Sequence, residues 1–109
     1  MITQARLKEL VTYDPETGLF TSLVKRGRGS KGVRPGDILG TINMDGYVVI
    51  RIDGVQYKAH RLVWIYMHGS VADDRDIDHK FHCRDDNRYE KLRCVPHSVN
   101  MQNLRKRIQ

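Results

Sequence analysis

The segment "DIDH" closes on an Asp-His pair, Asp78 and His79, and two asparagines follow at measured distances, Asn87 and Asn100. A carboxylate and an amide oxygen are hard donors, suited to Mg²⁺ or a similar cation that keeps several waters and takes up phosphate oxygens. His79, next to them, is the one ring in the group able to accept a proton near neutral pH. Asp78 and Asn100 are the pair expected to meet, since a strand-loop-strand-helix of this length folds back on itself. Neighbours on a regular strand point to opposite faces. Asp78 and His79 can therefore serve one site only if the strand ends or bends there, or if they reach a phosphate from different sides. Irregular backbone is expected at 78 to 79.

The elements that must position these groups read as strand, loop, strand, helix. "DIDH" is the first strand, "KFHCRDDNRYEK" the loop and "LRCV" the second strand. Pro96 opens a helix with Ser98 as its N-cap, and in it Met101, Leu104 and Ile108 make an apolar stripe. Asn100 and Asn103 share a neighbouring face with Arg107, and Arg105, Lys106 and Arg107 suit the negative end of the helix dipole or a phosphate. Upstream, residues 2 to 11 place Leu7, Leu10 and Val11 on one helical face behind Thr3 as N-cap. That helix stops at "YDPETG". Strand formers follow in "LFTSLV", "DILGTI", "YVVIRI" and "VQYKA", with "MDG" and "DG" as hairpin turns, which predicts one small antiparallel sheet. "HRLVWIYMHG" reads as a helix ended by Gly69, and "SVADDRD" as a linker.

The chain has 109 residues, room for one compact unit or two small lobes sharing a core. The expected division is an N-terminal lobe at 1–70 and a finger at 71–109. Nineteen basic residues against thirteen acidic ones leave a net charge of +6, which favours a polyanionic partner, nucleic acid ahead of an anionic membrane surface. Between the first two strands Lys25, Arg26, Arg28, Lys31 and Arg34 sit among glycines without an acidic residue, a flexible basic loop suited to a phosphate backbone. No apolar run of about 18 residues exists to span a bilayer. The stretch "MITQARLKEL" is too charged for a signal peptide. The expectation is a soluble, cytoplasmic protein, and two cysteines are too few for a disulfide framework.

The stretch "IDHKFHCRDDNRYEKLRCVPHSVNMQN" resembles the motif of the HNH endonucleases, in the version carried by phage and intron homing endonucleases. "YDPETGLFT", "GYVVIRIDGVQYKAHRLVWIYMHG" and "IDH" succeed one another as in small phage-type members, so the resemblance covers nearly the whole chain. It implies an α+β protein: a small antiparallel sheet lobe with short helices, then a C-terminal ββα-metal finger. Carried over position by position, Asp78 and Asn100 become the metal ligands, His79 the general base and Asn87 the brace of the loop. The implied activity is hydrolysis of double-stranded DNA with one Mg²⁺ or Mn²⁺, leaving 5′-phosphate and 3′-hydroxyl ends, in the host cytoplasm if the protein is phage-encoded. Lys25, Arg26, Arg28, Lys31, Arg34, Arg105 and Arg107 become DNA contacts, and no protein partner is implied. The chain departs from the family pattern at Phe81, His82, Cys83 and Lys91.

Blander roles compete for several residues. His60 in "AHRLVW" is expected to cap or pack against its helix, and Phe20, Trp64 and Tyr66 to be core. Cys83, Cys94, His82 and His97 are zinc-type donors, but they lack a CxxC spacing and a free cysteine is commonly a small core residue, so the hard cation is favoured over structural zinc. The rival function is a DNA-binding module that keeps the finger without turnover.

Overall fold

Thr3 ahead of Leu7 and Leu10 makes a capped helix. In the computed structural model, which describes residues 2–25, 32–71, 74–81 and 83–96, helix α1 spans Gln4–Leu10. The Thr3 hydroxyl accepts from the Arg6 N–H at 3.2 Å, and Leu7 and Leu10 are buried. Val11 does not continue the helix as expected. It is extended and begins strand β1 (Val11–Asp14), with Val11 and Tyr13 inward, because β-branched and aromatic residues in alternation suit a half-buried strand.

Strand β2 (Leu19–Ser22) pairs antiparallel with β1 and with β3 (Ile38–Leu39). A second antiparallel sheet holds β4 (Thr41–Ile42), β5 (Val48–Ile52) and β6 (Val55–Lys58). The single expected sheet is thus two three-stranded sheets, and "DILGTI" is not one strand. It breaks at Gly40, whose φ is +118° and where a Cβ would lie 2.6 Å from Val48 Cγ1. Only glycine turns the chain there, so its two halves enter different sheets. The hairpin turns are where the sequence puts them. Asp53 and Gly54, at φ of 51° and 79°, join β5 to β6, and the Asn43 side chain accepts from Asp45 and Tyr47 N–H groups, each at 3.0 Å.

Helix α2 (Ala59–His68) ends on Gly69, whose N–H reaches the Ile65 carbonyl at 2.8 Å. Its inner face carries Ala59, His60, Leu62, Val63 and Ile65, and it packs on α1, β5, β6 and the strand that follows. Phe20, Leu7, Ile52 and Leu62 are among the fully buried side chains, each contributing about 1.5–3 kcal/mol by burial. Ile77 and Leu92 extend this core into a two-stranded ribbon, β7 (Arg75–His79) against β8 (Leu92–Pro96), paired from Arg75↔Pro96 to His79↔Leu92.

The ribbon corrects two expectations. The backbone at 78 to 79 is regular, with burial alternating along β7, and the Lys80 N–H reaches the Lys91 carbonyl at 2.8 Å just past the last pair. Pro96 ends a strand instead of opening a helix; at a strand end its missing N–H is tolerated. The helix expected around Met101, Leu104 and Ile108 lies outside the described residues. Among the described residues, no helix is long and apolar enough to cross a membrane.

Candidate active site

His79 sits at the last position of β7, on the same face as Ile77 and only 4% exposed. Its Nε2 lies 2.9 Å from Oδ1 of Asn87, which is also 4% exposed. An amide oxygen only accepts, so Nε2 carries the hydrogen and Nδ1 keeps its lone pair. Burial lowers the pKa of His79, partly offset by the bond to Asn87 and by the charges of Asp78, Asp86 and Asp85. The ring is therefore neutral near pH 7, the form that a proton acceptor needs.

Asn87 is held from behind by the first hairpin. The Tyr13 hydroxyl donates to the Asn87 carbonyl at 2.5 Å, and Gly18 packs so closely that a Cβ there would lie 2.5 Å from Asn87 C and 2.4 Å from Arg88 N. The Tyr89 N–H also reaches the Pro15 carbonyl at 3.2 Å. Within the loop, Arg88 grips Asp86 through Nε–Oδ1 at 2.9 Å and Nη2–Oδ2 at 2.8 Å, and the guanidinium holds that carboxyl below its usual range.

Asp78 points the other way. It pairs across the ribbon with Arg93, whose Nη2 and Nε lie 2.9 and 3.1 Å from Asp78 Oδ2. A carboxylate and a neutral imidazole thus flank one strand end from opposite faces.

The family model described as HNH endonuclease matches residues 57–102, a span that holds Asp78, His79, Asn87 and Asn100. A solved structure concerning DNA binding and cleavage by the HNH homing endonuclease I-HmuI is similar as well, with a TM-score of 0.63 and 27% identity. Part of the chain, residues 57–102, is therefore similar to the HNH endonucleases, and its fold is similar to that of an HNH homing endonuclease. The similarity covers 90% of this chain and 53% of that one, so the chain spans about half the length of I-HmuI in that structure. No curated protein matches the chain. The likeness supports an α+β architecture of the ββα-metal kind.

The HNH motif implies a divalent cation. The donor chemistry fits one: Asp78 supplies a hard, partly sheltered carboxylate, its side chain 11% exposed, at a place where the fold already balances it with the Arg93 guanidinium. Among the described residues no three His, Cys, Asp or Glu side chains gather into a metal-ligating group. Asn100, the other expected ligand, lies outside the described residues. Of the zinc-type donors, His82 and His97 do too. Cys83 is exposed and donates to Asp85 Oδ1 at 3.2 Å, which pushes its thiol pKa up, and Cys94 is half-buried on β8.

Lys25 and Arg34 are exposed at either side of residues 26–31. Arg26, Arg28, Lys31, Arg105 and Arg107 lie outside the described residues. The sequence alone does not single out several residues around His79 and Asp78: Arg93, Tyr13, Gly18 and Tyr47. Arg93 could have been found by counting pairs back from "LRCV" to "DIDH". His60 was expected to cap or pack, and it does pack, but on the His79 ring, at 4.6 Å between centroids. Its signal was a histidine set among the apolar positions Ala59, Leu62 and Val63.

Proposed function

We propose that the chain is a metal-dependent endonuclease that hydrolyses phosphodiester bonds of double-stranded DNA, leaving 5′-phosphate and 3′-hydroxyl ends. The observation that carries the reading is the His79 Nε2–Asn87 Oδ1 bond in a buried setting, which fixes the tautomer with Nδ1 as proton acceptor. His79 takes a proton from the water that attacks phosphorus. Asn87 keeps the ring's orientation and is itself kept in place by Tyr13 and Gly18. A divalent cation, Mg²⁺ or Mn²⁺, held by Asp78 and Asn100, would neutralise phosphoryl charge and stabilise the leaving oxygen. Asp78 and His79 reach the phosphate from opposite sides of the strand end, the arrangement that a regular β7 leaves open.

The DNA backbone is the partner proposed for Lys25, Arg26, Arg28, Lys31 and Arg34 and for Arg105 and Arg107, since a basic chain gains affinity by releasing counterions from phosphates. Likeness to the HNH homing endonuclease I-HmuI supports DNA as the partner and a homing-type role; a phage-encoded origin and action in the host cytoplasm are part of the same proposal, carried by the resemblance of the motif alone. Supercoiled plasmid incubated with Mg²⁺ or Mn²⁺ tests the reading: relaxed or linear product that disappears in chelator and in His79→Ala supports it. Intact plasmid, bound with unchanged affinity by parent and variant, would leave a DNA-binding module that kept the finger without turnover. The Arg93 guanidinium resting on Asp78 favours that second reading if it resists displacement.

A further inference from the structure

His60 occupies the inner face of α2 and is 7% exposed, at a site where its neighbours Ala59, Leu62 and Val63 are apolar. Its ring lies 4.6 Å from that of His79, with the planes at 55°. On another side Tyr47 stacks on it at 5.4 Å and 26°, and Tyr47 is itself 6.0 Å from His79. The three rings close a triangle. Lys58 Nζ and Arg84 Cζ cover Tyr47 at 4.5 and 5.0 Å from its centroid, so the cluster joins β6, α2, β7, the turn after β4 and the loop that carries Asn87.

An interior this well packed has cheaper ways to fill the volume, since a leucine of similar size brings no polar atoms into the core. A flat ring does what leucine cannot. It meets the His79 ring at a tilt of 55°, and a rigid, flat neighbour at that angle restricts how the His79 plane can turn. His60 itself stays neutral: burial, then the neighbouring His79, Lys58 and Arg61, bring its pKa down to about 3, with Asp76 acting weakly the other way.

We propose that His60, backed by Tyr47, is a positioning residue for His79: a neutral ring that sets the plane of the base so that Nε2 stays on Asn87 and Nδ1 stays available to water. The inference rests on His79 being the base of the proposed nuclease. It adds the group that holds the ring's plane, where Asn87 holds only one of its atoms.

The test compares His60→Leu with His60→Phe in the full chain. The phenyl ring keeps a flat, uncharged face and should retain single-turnover cleavage within a few-fold. Leucine should lower that rate by about 10²-fold with DNA affinity unchanged, the size expected when a catalytic group is misplaced by about 1 Å. ¹⁵N-edited NMR of His79 provides a readout independent of activity. The parent and the phenylalanine variant should show one tautomer with hydrogen on Nε2, and the leucine variant a mixture. If His60→Leu fails to fold, Tyr47→Leu, at a half-buried position, serves in its place with the same expected split. A folded leucine variant with a single Nε2–H tautomer and the parental rate would overturn the proposal. A tautomer mixture on substitution in a protein that cleaves no DNA would uphold the positioning and sink the nuclease reading instead.

Discussion

His79 and Asn87 meet through Nε2 and Oδ1 at 2.9 Å, both almost sealed from solvent. Asn87→Ala removes the acceptor and leaves a buried N–H without its partner, at a cost of about 1–3 kcal/mol in stability. Cleavage should fall by about 10²-fold in single-turnover measurements, because the ring loses its fixed orientation, while DNA affinity stays within a few-fold. Unchanged cleavage would remove Asn87 from its bracing role.

Stability should respond to acid through the two buried histidines. Burial is the leading cause of the lowered pKa at both, to about 3 for His60. In the unfolded chain each ring takes a proton near pH 6.5, about its unperturbed value. Between there and the folded value the unfolded state binds more protons, so stability is full above about pH 6.5 and declines as pH falls toward 3. His60 costs up to about 1.4 kcal/mol per pH unit across that window, and His79 acts in the same direction. Urea midpoints should drop from pH 7.5 to pH 5 and drop less in His60→Phe. An equal slope in that variant would show that His60 is not held neutral by the fold.

Gly18→Ala should disturb the site from the outside. Its φ of +76° disfavours a side chain, and the new Cβ would collide with the backbone of Asn87 and Arg88, which cannot swing aside as a long side chain would. A destabilisation of about 1–3 kcal/mol is expected, with cleavage lowered as Asn87 shifts. Tyr13→Phe, which deletes only the hydroxyl donor, should cost about 1 kcal/mol and be the milder of the two in both assays. Thermal unfolding and plasmid cleavage, read on both variants, check the order.

Arg93 competes with any cation for Asp78. Arg93→Met keeps most of the stem and removes the guanidinium, so Mn²⁺ binding without DNA, followed by calorimetry, should tighten several-fold. That is the scale of a partly exposed ion pair worth about 1 kcal/mol. An affinity left unchanged would place the cation away from Asp78.

What was legible in the sequence was what local patterns specify. Thr3 before Leu7 and Leu10 announced α1, Asp53-Gly54 announced a tight hairpin, and the resemblance to the HNH motif singled out His79 and Asn87, which the fold does bring together. What escaped depends on how distant pieces meet. The apolar positions around His60 tell that it packs on its helix, but not that it meets His79. "DILGTI" looks like one strand because nothing local shows Val48 pressed against Gly40. The irregular backbone expected at 78 to 79 was inferred from the need to bring Asp78 and His79 together; the ribbon keeps its pairing and separates them by face.

The hydroxyl of Tyr13 and the carbonyl of Asn87 belong to residues 74 positions apart. Contacts of such long range are rewarded only after the entropy of closing a large loop has been met, and they form late in folding. The first hairpin can pair its own strands early, but it has nothing to brace until β7, the loop and β8 have come together against it. Competence for the proposed catalysis is thereby tied to completion of the fold: a chain with only local structure holds His79 and Asn87 in its sequence without holding them in register.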